Sequence, residues 1–273
     1  MGLRINNNIS AMNTHRQLVR TDKMLASSLE RLSSGLRINR AADDSAGLAI
    51  SQRLRSQVEG LKMASTNAEQ AKNVVQTAEG YLNEIHNMLG RMRELAVQAS
   101  SDTVDNTNRA SLHAEFNSLR NEITRISHAA EYNNQKLLDG TFDKTFQIGP
   151  NNSPNDSLTF TISAVDATSL GIANTSIESL AGAQSALNDL TSAIDAVSTT
   201  RSDLGTLQNR LGFTVASVDN AAENLASSES TIRDLDISNE ITSFTKSQIL
   251  TQAGMSMLAQ ANAVPQNVLA LFR

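Results

Sequence analysis

The sequence predicts a mainly α-helical protein: an elongated helical bundle or coiled coil formed by its paired N- and C-terminal halves, with a small β-hairpin region in the middle. Three observations carry this. Apolar residues recur in alternating steps of three and four over runs far longer than the roughly 11–12 residues of an average globular helix. Aromatic residues make up only 3% of the 273 and Trp is absent, so thin layers of Leu, Ile, Val and Ala along helices must serve as the core. One region alone, residues 142–176, contains stretches that fall to a period of two.

In chain order, Ile5, Ile9, Met12 and Val19 form one helical stripe, and Leu18, Leu25, Leu29, Leu32 and Leu36 a second, rotated around the same helix. Gly35 is a natural stop. From Leu36 to Gly47 a charged stretch predicts a non-helical connector, with Asp43 or Asp44 capping the next helix. Leu54, Val58, Leu61, Ala64, Ala68, Ala71, Val75, Ala78, Leu82, Ile85, Leu89, Met92, Ala96 and Ala99 then predict one helix from about Ser45 to Ser100, about 80 Å long at 1.5 Å per residue. After a polar turn, Leu112, Phe116, Leu119, Ile123, Ile126 and Ala130 predict a short antiparallel partner.

Phe146 and Ile148, then Leu158, Phe160 and Ile162, alternate with polar residues around the loop Gly149–Asp156, which predicts a hairpin. The helical period returns from Leu187 to Ile232, its stripe breached at Arg201 and Gln208. A polar break at Arg233–Asp236 leads into a last helix with Ile237, Ile241, Phe244, Met255, Leu258, Leu269 and Phe272 on one stripe. The expected organisation is therefore a terminal helix and connector over 1–44, helices of a central rod over 45–141, the β-hairpin region over 142–176, a long helix over 177–234 and a C-terminal helix over 235–273. The simplest packing pairs the two ends with each other and the two long helices with each other.

The stretch Ser247–Phe272 holds no charged residue, yet six Gln and Asn side chains interrupt its apolar positions. It is too polar to span a membrane, and a surface helix would carry charge on its wet face. Apolar residues on several sides call for neighbours on several sides, and further copies of the chain are the expected source.

Composition excludes several classes. A net charge of −5 without a basic block argues against a nucleic-acid partner, and zero cysteines exclude disulfides and Cys-based metal sites. The start, Met1–Asn6, has no apolar run of the signal-peptide kind, so a protein that leaves the cell with this start does so by another route. The four histidines, His15, His86, His113 and His128, fit no zinc motif and are expected as solvated helix residues. No phosphate loop, dinucleotide fingerprint or nucleophile elbow occurs. No catalytic, cofactor-binding or metal residue is expected, and the protein is expected not to be an enzyme.

Ile5-Asn6-Asn7-Asn8-Ile9-Ser10-Ala11-Met12-Asn13-Thr14 resembles the start of the bacterial flagellins. The run from Leu32 to Ile50, with Ser33-Ser34-Gly35-Leu36-Arg37-Ile38-Asn39-Arg40-Ala41-Ala42-Asp43-Asp44-Ser45-Ala46-Gly47 at its centre, resembles that family's most specific segment. Arg93–Ala99, Asn134–Gly140, Ile232–Asp236, Met257–Asn262 and Pro265–Leu269 are similar to it as well. The ending Leu271-Phe272-Arg273 departs slightly from the family's usual Leu-Leu-Arg.

The resemblance implies a subunit that polymerises into the flagellar filament, exported through the flagellar type III apparatus and located outside the cell. The alternative is a hook–filament junction protein of the same export class. Residues expected at the filament core are Ile5, Ile9, Leu29, Leu32, Leu36, Ile241, Phe244, Met255, Leu258, Val268, Leu269, Leu271 and Phe272. Partners implied are further copies of the chain, an export chaperone on the C-terminal segment, hook-associated and cap proteins, and the toll-like flagellin receptor of animal hosts. By motif the receptor contact falls on Arg91, Leu95 and Glu115. The outer domains that many flagellins carry are expected to be absent. Both termini are expected to be disordered in dilute solution and to fold on assembly.

Overall fold

The structure, a computed structural model, describes residues 7–270, and from residue 265 onward the backbone alone. Five helices carry the fold: α1 (Ile9–Ser34), α2 (Ser45–Ala99), α3 (Asn106–Ala129), α4 (Leu180–Arg233) and α5 (Ile237–Ala270). Four short strands lie between α3 and α4: β1 (Glu131–Tyr132), β2 (Gln135–Lys136), β3 (Asp143–Gln147) and β4 (Ser157–Thr161). The chain divides into two compact units, residues 57–223 and a unit of residues 1–56 with 224–273. Both α2 and α4 contribute to each.

In the 57–223 unit, the step-of-three-and-four residues of α2 become the core. Ala68, Ala71, Val75, Ala78, Leu82, Ile85, Leu89, Met92, Leu95, Ala96 and Ala99 are all fully buried, clustered with Phe116 and Ile123 of α3 and with Ala186, Leu190, Val197, Leu204 and Leu211 of α4. Alanine at the successive positions 64, 68 and 71 leaves room for close helix approach. The breaches of the α4 stripe at Arg201 and Gln208 do not break the helix. Gln208 instead donates Nε2 to Glu79 Oε2 at 2.7 Å.

Arg109 closes the C-terminal end of α2. This buried side chain donates Nε to Ala99 O at 2.9 Å and Nη2 to Val104 O at 3.0 Å, while Nη1 meets Asn106 Oδ1 at 2.8 Å. No basic residue sits in the last turn of α2 itself, so Arg109 places a cation against the negative end of that helix dipole.

The middle region holds two separate two-stranded antiparallel sheets. β3 and β4 pair with Phe146 opposite Leu158, close to the expected hairpin. The second sheet, β1–β2, lies inside a stretch expected to hold only helices. Its two-residue turn is Asn133–Asn134, both at positive φ (46° and 63°), the geometry that a tight hairpin requires and that Asn tolerates. Past β4, residues 162–179 form no strand. They are buried all the same through Ile162, Val165, Leu170, Ile172 and Ile177, and Arg120 donates to Ala173 O at 2.8 Å to hold them. Among the described residues no further folded unit stands between α3 and α4.

His113 is not a solvated residue as expected. Its Nδ1 accepts from the Ile177 backbone N–H at 3.3 Å, and its Nε2 lies 3.5 Å from Glu178 Oε1. His86 is likewise partly buried.

In the other unit α1 pairs antiparallel with α5. Asn8 caps α1 by accepting from Ala11 N at 3.1 Å and donates its amide to Ala261 O at 2.7 Å, while Arg31 at the far end of α1 lies 3.9 Å from Glu240. The helix stops at Gly35, φ 71°, whose N–H returns to Arg31 O. The connector beyond it is tied to the α4–α5 junction. Arg37 N donates to Arg233 O at 2.7 Å, Leu235 N donates to Gly35 O at 3.0 Å, and Ile38 is buried.

Within this connector the two aspartates divide the work. Asp44 caps α2 by accepting from Gly47 N at 2.9 Å, whereas Asp43 accepts from Asn39 N and Arg40 N and so folds the loop. Those two amides, Arg40 foremost, hold the Asp43 carboxyl below its usual range. A side chain at Gly47 would strike the Asp44 carboxylate at 2.5 Å and Ile38 at 2.9 Å.

Candidate assembly and recognition surfaces

The α1–α5 seam is read from burial. On α1 it consists of Ala11, Thr14, Leu18, Thr21, Leu25, Ser28 and Leu32; on α5 of Glu240, Phe244, Ser247, Thr251, Gly254, Leu258 and Ala261. Both sets step alternately by three and four, the heptad spacing of a coiled-coil seam. The residues are mostly small. A Cβ on Gly254 would come to 3.3 Å from Leu18 Cδ1, so glycine there admits the leucine. The only fully buried side chains of α1 are Thr21 and Ser28; along the described side chains of α5, only Ser247 is.

The isoleucine, methionine and valine side chains, with Leu29 and Leu250, point elsewhere. Ile9 is 58% exposed, Met12 63%, Ile249 59% and Met257 62%, and Val19, Met24, Leu29, Ile237, Ile241, Leu250, Met255 and Val264 are exposed with them. Ile241, Ile249 and Leu250 line an open apolar groove along α5 with Thr242, Thr245 and Lys246.

The expected filament-core residues therefore divide. Leu32, Phe244 and Leu258 lie on the intrachain seam, and Leu36 is half-buried in the bridge to Asp234. Ile9, Leu29, Ile241 and Met255 face outward. Ile5, Leu271 and Phe272 lie outside the described residues, as do the side chains of Val268 and Leu269. The single stripe expected on the last helix thus splits between two faces, Phe244 and Leu258 toward α1 and Ile237, Ile241 and Met255 outward.

In the 57–223 unit, Arg91 and Glu115 meet across α2 and α3. Arg91 Nε donates to Glu115 Oε1 at 3.0 Å and Nη1 to Glu94 Oε2 at 2.9 Å, with all three side chains substantially exposed. Leu95 does not join them at the surface. It is fully buried in the core, so the three-residue contact face expected from the motif reduces to an exposed Arg–Glu pair over a buried leucine. A shallow groove lined by Gly90, Arg93, Glu94, Val97 and Gln98 runs alongside.

Among the described residues no cluster of His, Asp or Glu is arranged to hold a metal ion, and no helix is long and apolar enough to cross a membrane.

Comparison with known proteins agrees with this architecture. The chain matches the family model described as bacterial flagellin N-terminal helical region over residues 5–143, and that of the C-terminal helical region over 187–272. It is 46% identical to a flagellin of Halalkalibacterium halodurans over 270 residues, covering 98% of this chain and 99% of that one. It is 41% identical to a flagellin of Bacillus subtilis over 304 residues, covering 99% and 100%. Among solved structures, the crystal structure of Bacillus cereus flagellin superposes with a TM-score of 0.50 at 29% identity, covering 60% of this chain and 94% of that one. A putative flagellar hook-associated protein of Vibrio parahaemolyticus reaches 0.59 at 13% identity, a likeness of fold alone.

Proposed function

The chain belongs to the bacterial flagellin family and is a structural subunit that polymerises into the flagellar filament; we propose that copies join through the outward apolar faces of α1 and α5. The observation that carries this is the division of labour on those helices: small residues together with Leu18, Leu25, Leu32, Phe244 and Leu258 form the intrachain seam, and the Ile, Met and Val side chains are left in water. Monomers rarely expose a contiguous apolar surface of this kind. Burying it returns roughly 25 cal/mol per Å², and the uncharged stretch from Ser247 onward strands no ion when neighbours cover it.

The family forms the extracellular filament. Export through the flagellar type III apparatus follows from that membership, with a chaperone covering the C-terminal segment beforehand, and cap and hook-associated proteins meeting the filament ends. The reading gives the chain an assembly role and assigns it no reaction. A hook–filament junction role gains no support beyond the shared fold. In animal hosts, Arg91 and Glu115 form the contact with the toll-like flagellin receptor, with Leu95 supporting them from below.

Electron microscopy of the purified chain at rising concentration tests the assembly reading. Long helical filaments above a threshold concentration are expected. Short caps or persistent monomers would turn the assignment toward a junction protein.

A further inference from the structure

A groove of about 290 Å³ lies between α2 and the two small sheets of the 57–223 unit. Its floor is one face of α2, formed by Asn67, Gln70 and Val74 at helical spacings of three and four. One wall is the tight β1–β2 hairpin, whose paired residues Tyr132 and Gln135 stand opposite each other beside Asn133 of the turn. The other wall is Phe142, Thr145, Phe146 and Gln147 at β3. The β3 wall is tied to the floor and to its own loop: Asn67 Nδ2 donates to Gln147 O at 3.1 Å, and Gln147 Nε2 donates to Gly149 O at 2.8 Å and Asn151 O at 2.7 Å.

Two features of the lining point to one ligand class. The lining contains no charged residue, which disfavours phosphates, carboxylates and cations. Its polar groups are chiefly amides, each both donor and acceptor, and those of Gln70, Asn133 and Gln135 make no hydrogen bond with the chain among the described residues. A hydroxyl group is also both donor and acceptor, so an array of vicinal hydroxyls matches an array of amides. The half-buried rings of Tyr132 and Phe146 supply flat apolar surface for the C–H face of a sugar ring. Ligand sites are concave and partly aromatic with a few convergent polar groups, and the volume here lies at the lower end of their roughly 300–1,000 Å³ range, enough for one or two sugar units rather than a folded partner.

We propose that the groove bounded by Gln70, Tyr132, Gln135 and Phe146 binds a neutral saccharide unit of a polysaccharide. This goes beyond the assembly role and uses none of the residues assigned to it. The affinity of one site this shallow is on the order of millimolar, and many copies along a polymer multiply it through avidity.

The test titrates the full chain, below its polymerising concentration and again as filaments, with cellotriose, mannotriose and N,N′-diacetylchitobiose, and with sialyllactose as the charged control. Binding is read by saturation-transfer NMR. At least one neutral sugar is expected to bind in both states, with sialyllactose silent. Gln70→Ala/Gln135→Ala, two exposed positions away from the core, is expected to weaken that binding roughly tenfold, as for two lost neutral hydrogen bonds. It should leave melting and filament growth unchanged. Silence of all three neutral sugars would overturn the proposal, as would undiminished binding by the double variant. Binding by the dilute chain that disappears in filaments would make the groove an inter-subunit surface and overturn it equally.

Discussion

Arg109 and Leu95 both lie out of reach of solvent, and each makes a prediction that sequence alone would not. Arg109→Ala leaves the carbonyls of Ala99 and Val104 without their charged donor, which costs about 2–4 kcal/mol of stability given charge-assisted bonds of about 1.5–3 kcal/mol. Arg109→Lys recovers little, because an ammonium cannot fork to several carbonyls. Urea unfolding decides this, and an unchanged midpoint for the alanine variant would refute the cap. Leu95→Ala opens a core cavity worth about 2–5 kcal/mol. Arg91→Ala, at an exposed and solvent-screened ion pair, leaves the melt nearly unchanged and weakens receptor activation severalfold or more. Parallel melting and receptor assays separate the two; full activation by folded Arg91→Ala monomer would remove the receptor assignment.

Asp43 makes the connector pH-dependent. Its carboxyl is held low in the folded loop, so its stabilising effect is fully present above the unfolded value of about 3.9 and fades as pH falls through the lower folded value. The connector 37–44 is expected to loosen only below about pH 4. An NMR titration placing Asp43 at or above the ordinary range would contradict this.

At the scale of elements, α1 illustrates one helix with two apolar stripes and two destinations. Leu18, Leu25 and Leu32 meet α5 with small residues between them, and Ile9, Met12 and Val19 face outward. Met12→Lys puts a charge on the outward stripe without touching the seam. The variant is expected to stop filament growth at concentrations where the unaltered chain polymerises, because an unpaired charge would be buried on assembly. Thermal melting of the 57–223 unit should stay the same. Normal filaments from Met12→Lys would show that this stripe remains in water.

Across the whole molecule the two units differ in what holds them. The 57–223 unit has a continuous buried core; the α1–α5 pair has a seam in which no large apolar side chain among the described residues is fully buried. Ordering each backbone residue costs roughly 1–2 kcal/mol, and so thin a seam does not offset that without neighbours. Of the termini, α1 and α5 are expected to be disordered in dilute chain and ordered in the polymer; the expected ranges 1–40 and 236–273 also include residues outside those described. Limited proteolysis should trim both ends of the dilute chain quickly and leave filaments largely resistant. Deleting residues 265–273 should abolish polymerisation with little change in melting. Protected ends in dilute chain would count against this reading.

The sequence by itself determined the helices, the stop at Gly35 and the α2 core, and narrowed the α2 cap to Asp43 or Asp44, because each is a local matter of spacing, φ preference or a short side chain reaching its own backbone. It also carried the family, through motifs spread along nearly the whole chain. It could not assign the two terminal stripes. Both follow helical spacing, yet the one with Leu18, Leu25 and Leu32 meets α5 and the one with Ile9, Met12 and Val19 is left uncovered; the choice rests on how closely two helices approach when Thr21, Ser28, Ser247 and Gly254 lie between them. Nor could it show that Leu95 is buried, since a motif fixes residue type and not the direction of a side chain. The β1–β2 hairpin is two residues per strand, too short for any period, and His113 is drawn into the packed interior by a backbone N–H at Ile177. Those outcomes were decided by tertiary structure, where contacts between residues distant in sequence choose among faces that local rules leave equivalent.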